Sequence, residues 1–157
     1  VKGRKEVEES VLQHIEDHGW EDMFIFPRQG DPGVVWNYSV GLTHTYSHPE
    51  LVVMGLPQEN AHGVLWAAVH LIEDGFRFTP DSLVEEVLAN HPVAVVEVLD
   101  VHNDNYPLSM ATSLFGDISA LQLVWPDMNG LFPWDNGFEP ALKDAQVMLG
   151  PWLGAKK

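Results

Sequence analysis

Residues 36–57, WNYSVGLTHTYSHPELVVMGLP, decide the fold. Trp36, Tyr38, Val40 and Leu42 alternate with Asn37, Ser39 and Gly41. That period of two belongs to a strand with large residues on a core face and small polar ones on the other. Asn37, Ser39 and Thr43 would then share one side, either a solvated face or the floor of a pocket. Residues 43–50 are polar and read as a loop carrying His44 and His48. Pro49 pushes the backbone of His48 to an extended conformation and feeds the chain into LVVMGL. A continuous apolar run of that kind suits a strand buried on both faces. Pro57 is then well placed as the first helical residue, with Gln58 and Glu59 in the first turn.

Working outward, residues 57–74 form a helix with Ala61, Val64, Leu65, Ala68 and Ile72 as its core stripe. His62, Trp66 and His70 lie four apart along another face of it. Upstream, residues 4–18 form a helix with Val7, Val11 and Ile15 on one stripe and Gly19 at its left-handed cap. His14 and His18 are also four apart, and they read as ordinary helix-flank residues. Residues 23–26 are a short buried strand, and QGDPG (29–33) is the turn that leads into the strand at 36. Downstream, Thr79-Pro80-Asp81 looks like the start of a short helix carrying Leu83, Val84, Val87 and Leu88. Residues 93–101 (VAVVEVLDV) are a central strand, 106–115 a helix, 120–125 the last clear strand and 140–149 a closing helix. Residues 127–137 are turn-rich and irregular.

Together these elements predict a single α+β domain over residues 1–157, an N-terminal helix at about 4–18 followed by a core over 20–150. Its sheet is mainly antiparallel, of about five strands, and is flanked by helices. Alternation of strand and helix in the middle leaves a three-layer α/β arrangement as the alternative.

Composition bounds the function. Eight Lys and Arg stand against 23 Asp and Glu, a net charge of −15. Nucleic-acid affinity comes mainly from cations that neutralise phosphates, so nucleic acid and anionic membranes are poor partners for this surface. A basic protein partner or a metal cation fits the field better, and the partner expected is a small molecule or a protein. Without cysteine the chain has no disulfide, thiolate zinc site or Cys nucleophile; that composition is compatible with any compartment, and the cytoplasm is the expected one. Its charged opening does not read as a signal peptide, and no apolar run reaches the ~18 residues of a membrane span.

YSVGLTHTYSHPELVVMGLP, followed by AHGVL and later by ALQLVWPDMNGLFPWD, resembles the bacterial and phage "domain of unknown function 4262" family, most clearly over residues 36–149. The resemblance puts the family pattern on Gly41, Leu42, His48, Pro49, Glu50, Gly55, Leu56, Pro57 and His62. In the second half it falls on Gln122, Trp125, Pro126, Asp127, Phe132, Pro133 and Trp134. It does not fix His44, and Gln146-Val147 stands where a Gln-Pro pair is more usual. It implies no particular chemistry.

The candidate sites follow from residue type. His48, Glu50 and His62 are candidate catalytic residues, with His48 as a general base oriented by Glu50. With His44 they have the composition of a divalent-metal site. The plainer alternative has His48 bonding to main chain and Glu50 solvated. Trp125, Asp127, Phe132 and Trp134 are candidate ligand-binding residues with Asn37, Ser39 and Thr43, and the plainer alternative for them is a packed lid. Asp100, His102 and Asp104 read as a solvated turn. Phosphate-binding glycine loops, dinucleotide fingerprints and nucleophile elbows are missing, and flavin chemistry is disfavoured. The expectation is a binding module for a small molecule or protein segment, its pocket between the His48 loop and the Trp125–Trp134 segment. The alternatives are a small metal-dependent or His/Glu acid–base hydrolase and an acidic protein-interaction domain.

Overall fold

The computed structural model describes residues 3–27 and 33–154. The turn read at 29–33 therefore lies outside the described residues, apart from Gly33. Six strands form one sheet in the order β1-β2-β3-β6-β5-β4. They are β1 (Glu21–Ile25), β2 (Trp36–Val40), β3 (Glu50–Met54), β4 (Leu83–Val84), β5 (Val93–Glu97) and β6 (Ala120–Val124). Every neighbouring pair is antiparallel except the central one, β3 with β6, where Leu51 faces Leu121. The molecule is α+β with a mixed, open sheet.

Both sheet faces are covered. Helix α3 (Gln58–Glu73) buries Ala61, Leu65, Ala68 and Val69 against Leu51, Val53, Val93, Val95, Leu121 and Leu123. On the opposite face, α1 (Arg4–His18) and α4 (Ser109–Phe115) pack against Trp36, Tyr38, Val40, Val52 and Met54. Further along that face, Phe132, Trp134 and Trp152 cover Ala94, Val96 and Val124. The alternation in β2 was read correctly as to sides, but its polar side is not solvated. Asn37 and Ser39 are fully buried beneath the α3 layer. Among the described residues no helix is long and apolar enough to cross a membrane.

Four local expectations are corrected. Residues 43–50 are not all loop, because Leu42–Tyr46 form a short helix, α2. The helix expected from Thr79 is absent: Asp81 and Glu86 have φ of 65° and 76°, a left-handed backbone that cannot continue a right-handed helix. Pairing with β5 decides this segment, as the Asp81 N–H donates to Val95 O (2.8 Å) and the Val95 N–H to Ser82 O (2.9 Å). Leu83–Val84 thereby become the sixth strand. The closing helix is only Pro140–Lys143, α5. Past it, the Gln122 side chain donates to Val147 O and accepts from the Leu149 N–H, both at 2.8 Å, and ties this non-helical segment to β6. Pro57 is the N-cap of α3 rather than its first helical residue.

Gly41 positions the corner between β2 and α2. Its φ is 112°, and a Cβ there would lie 3.1 Å from both Gly19 O and Ile15. A side chain would be strained in that conformation and would push away the end of α1.

Candidate functional site

Glu50 opens β3 and is fully buried, not solvated. Its carboxylate accepts from Ser39 Oγ (2.8 Å) and from the backbone N–H groups of Leu42 (3.1 Å), Thr43 (3.1 Å) and Gly41 (3.3 Å). It thus caps the first turn of α2, whose orphan N–H groups point at it. Ser39 Oγ also accepts from the Leu51 N–H, closing the network. Burial raises the Glu50 pKa, and the donors from Thr43, Ser39 and Leu42 pull against it.

His48 is buried too, with both ring nitrogens engaged. Nε2 accepts from the Phe78 N–H at 3.0 Å, so the ring carries its proton on Nδ1 and donates to Pro49 O at 2.8 Å. Desolvation lowers its pKa, with Arg77 acting the same way and the Pro49 bond opposing. This imidazole pins residues 76–78 to the end of β3. Thr43 joins the group through its hydroxyl, which donates to His48 O. His44 points elsewhere, stacking on Phe115 of α4.

The structure therefore brings Ser39, Thr43, His48 and Glu50 into one interior network and leaves His62 and His44 outside it. Among the described residues no group of three or more His, Asp or Glu side chains is placed to hold a metal ion. Asp100 accepts from the His102 N–H, the bond of a simple turn.

The tryptophan segment divides between the two faces. Trp125 is buried on the α3 side and donates from Nε1 to Met54 O at 2.8 Å. Phe132 and Trp134 lie on the other side, in a stack continued by Trp152 at a centroid distance of 4.9 Å from Trp134. The Asp127 carboxylate accepts from Asn129, Leu131 and Glu139 N–H groups and closes the irregular loop. Desolvation pushes its pKa up, but those donors outweigh this and hold it below the ordinary value.

His62 stands in a different setting. Its Nδ1 is 2.7 Å from Asp22 Oδ2, and Asp22 Oδ1 accepts from the buried Asn37 amide at 2.9 Å. Around this pair lies a cleft of about 290 Å³. The end of α1 supplies His14 and His18, the turn after it Trp20, the start of β1 Glu21 and Asp22, and one face of α3 His62, Trp66, Val69, His70 and Glu73. His14 faces Glu21 at 3.6 Å and His70 faces Glu73 at 3.7 Å, so three imidazoles approach a carboxylate through Nδ1. Trp20 stacks over His62, and Trp66 lies 3.9 Å from His70 between ring centroids.

The interior network supports this cleft. Glu50 caps α2, and α2 in turn braces the α1–β1 turn, since Thr45 Oγ1 donates to Gly19 O at 2.6 Å. The Tyr46 hydroxyl donates to Glu73 Oε2 at 3.2 Å on the cleft wall. Two other cavities, of about 450 and 520 Å³, are lined chiefly by aliphatic side chains, prolines and glycines. Of the cleft residues only His62 was a site candidate from sequence, with Asn37 behind it; His14 and His18 read as helix flank, Trp66 and His70 as a helix face, and nothing pointed to Trp20, Glu21, Asp22 or Glu73. The usable signal was the repeated four-residue spacing of His and Trp on helices whose apolar stripe lies elsewhere.

The family model described as "Domain of unknown function (DUF4262)" matches residues 14–139. No curated protein and no solved structure matches the chain.

Proposed function

This chain belongs to the DUF4262 family, a domain of unknown function, and we propose that it is a binding module whose site is the cleft between α1, β1 and α3. One observation carries this reading: three separate elements converge there with four imidazoles, three carboxylates and two indoles around a small concave volume. Ligand sites are concave and combine aromatic surface with a few convergent polar groups. Trp66 is 52% exposed and lines the cleft beside His70, so its indole is available to a ligand there. The net charge of −15 disfavours nucleic acid as that partner. The proposed location is the cytoplasm, which a chain without cysteine permits.

The test is a thermal-shift screen of small amines, acids and neutral fragments against the wild type, His62→Ala and Trp66→Ala. A ligand at 100 times its dissociation constant adds ~2.7 kcal/mol of stability. Shifts in the wild type that vanish in both variants support the cleft. Shifts that persist in both place the ligand elsewhere.

A second reading is favoured by the 2.7 Å contact of His62 with Asp22. An imidazole oriented by a carboxylate at the wall of a cleft is the arrangement of a general base. Hydrolysis of simple esters that is lost in both His62→Ala and Asp22→Asn would support it, and no turnover by the wild type would sink it.

A further inference from the structure

Resting on the cleft as the binding site, we infer that its ligand carries a guanidinium group. The wall offers carboxylates and aromatic faces, and among the described residues its only groups able to carry positive charge are four imidazoles. The ten lining residues include Glu21, Asp22 and Glu73 but neither lysine nor arginine. Their carboxylates are already oriented, Asp22 by Asn37 and His62, Glu73 by Tyr46 and His70, Glu21 by His14 and the Asp22 N–H. One partner on each oxygen leaves a second lone pair free for an incoming donor.

Behind the wall, Asn37 is fully buried and gives its amide N–H to Asp22 Oδ1, which fixes the Asp22 carboxylate.

Shape selects among cations. The indoles of Trp20 and Trp66, each paired with an imidazole, provide flat faces rather than a spherical cage. A guanidinium is planar, stacks on aromatic faces and forks across a carboxylate, whereas an ammonium is a compact point charge. A bare metal ion does not fit, since no three ligands are placed to hold one among the described residues. A volume of about 290 Å³ suits one side-chain-sized group.

The experiment is calorimetric titration of the full chain at low salt with butylguanidinium and with butylurea, its neutral planar counterpart. Asp22→Asn and Trp66→Ala serve as variants whose folding is checked by thermal denaturation. Butylguanidinium should bind at least tenfold tighter than butylurea, and each variant should weaken it about tenfold. A capped arginine peptide identifies the source. Tighter binding of the peptide assigns the group to a protein partner, and equal or weaker binding assigns it to a free small molecule. Equal binding of butylurea and butylguanidinium, both sensitive to Trp66→Ala, overturns the guanidinium and leaves the cleft standing. Binding of neither overturns the guanidinium alone, because the fragment screen tests the cleft separately.

Discussion

Asp22 Oδ2 and His62 Nδ1 stand 2.7 Å apart, a contact that ties the edge strand β1 to helix α3 across forty positions of chain. Asp22 is 10% exposed at its side chain and His62 53%, so one partner is anchored in the fold and the other faces the cleft. The imidazole side is open to water, and that keeps the pair's contribution to folding small. Asp22→Asn should cost only about 0.5–1 kcal/mol in urea denaturation while strongly reducing ligand binding. A loss of stability several times larger would make the pair a structural tie rather than part of a site.

Glu50 should behave in the opposite way, with a large effect on folding. Glu50→Ala leaves the Leu42 and Thr43 N–H groups and the Ser39 hydroxyl without their acceptor. At ~1–3 kcal/mol for each orphaned buried donor, the variant should lose at least about 3 kcal/mol. Burial raises this carboxyl's pKa above 4.5, so its contribution is full below that pH and is lost as pH rises through the folded-state value. Glu50→Gln cannot titrate. The gap between wild type and Glu50→Gln should therefore narrow from acid to alkaline pH, and a gap that widens would contradict the assigned direction.

His48 gives a pH dependence of the other sign. Desolvation lowers its pKa below 6.5, so its stabilising effect is present above that pH and is lost as pH falls toward the folded-state value. Urea midpoints should fall between pH 7.5 and 5.5. His48→Gln, which keeps an acceptor for the Phe78 N–H without titrating, should flatten that fall. His48→Ala should cost about 2–4 kcal/mol, through the unpaired N–H and the cavity left behind. An unchanged slope in His48→Gln would assign the acid sensitivity to other groups.

Gly55, just after β3, has φ of 83°, and a Cβ there would run into the backbone of Ala145. Gly55→Ala should destabilise by more than about 2 kcal/mol, combining a left-handed conformation with displacement of residues 145–146. Melting temperature reads this directly, and a neutral result would mean that the closing segment is free to move aside.

Much of the fold was legible because local pattern and tertiary environment agreed. The stripe of Val7, Val11 and Ile15 with Gly19 behind it gave α1, and the apolar runs gave β3, β5 and β6. Helix α2 was missed because LTHTY has little intrinsic reason to be helical. It is capped by the carboxylate of Glu50, which folds back from β3 onto the Gly41, Leu42 and Thr43 N–H groups, a contact that periodicity and propensity do not encode. At Thr79 the opposite happened: a sound capping signal lost to strand pairing with β5.

The site was legible only in fragments. His48 and Glu50 drew attention through residue type, and the structure spends both on internal hydrogen bonds. Asp22 could not be paired with His62 because the contact spans two elements whose packing is tertiary. His14 and His18 looked like ordinary helix flank until the turn at Gly19 brought Trp20 and Asp22 beside them.

The most direct test of the cleft uses the chain's six tryptophans as reporters. Butylguanidinium is titrated while the indole N–H resonances are followed by heteronuclear NMR. With the site between α1, β1 and α3, Trp20 and Trp66 should shift saturably while Trp36, Trp125, Trp134 and Trp152 stay in place. Saturable shifts at Trp134 and Trp152 in their stead would move the site to the opposite face of the sheet and contradict this account.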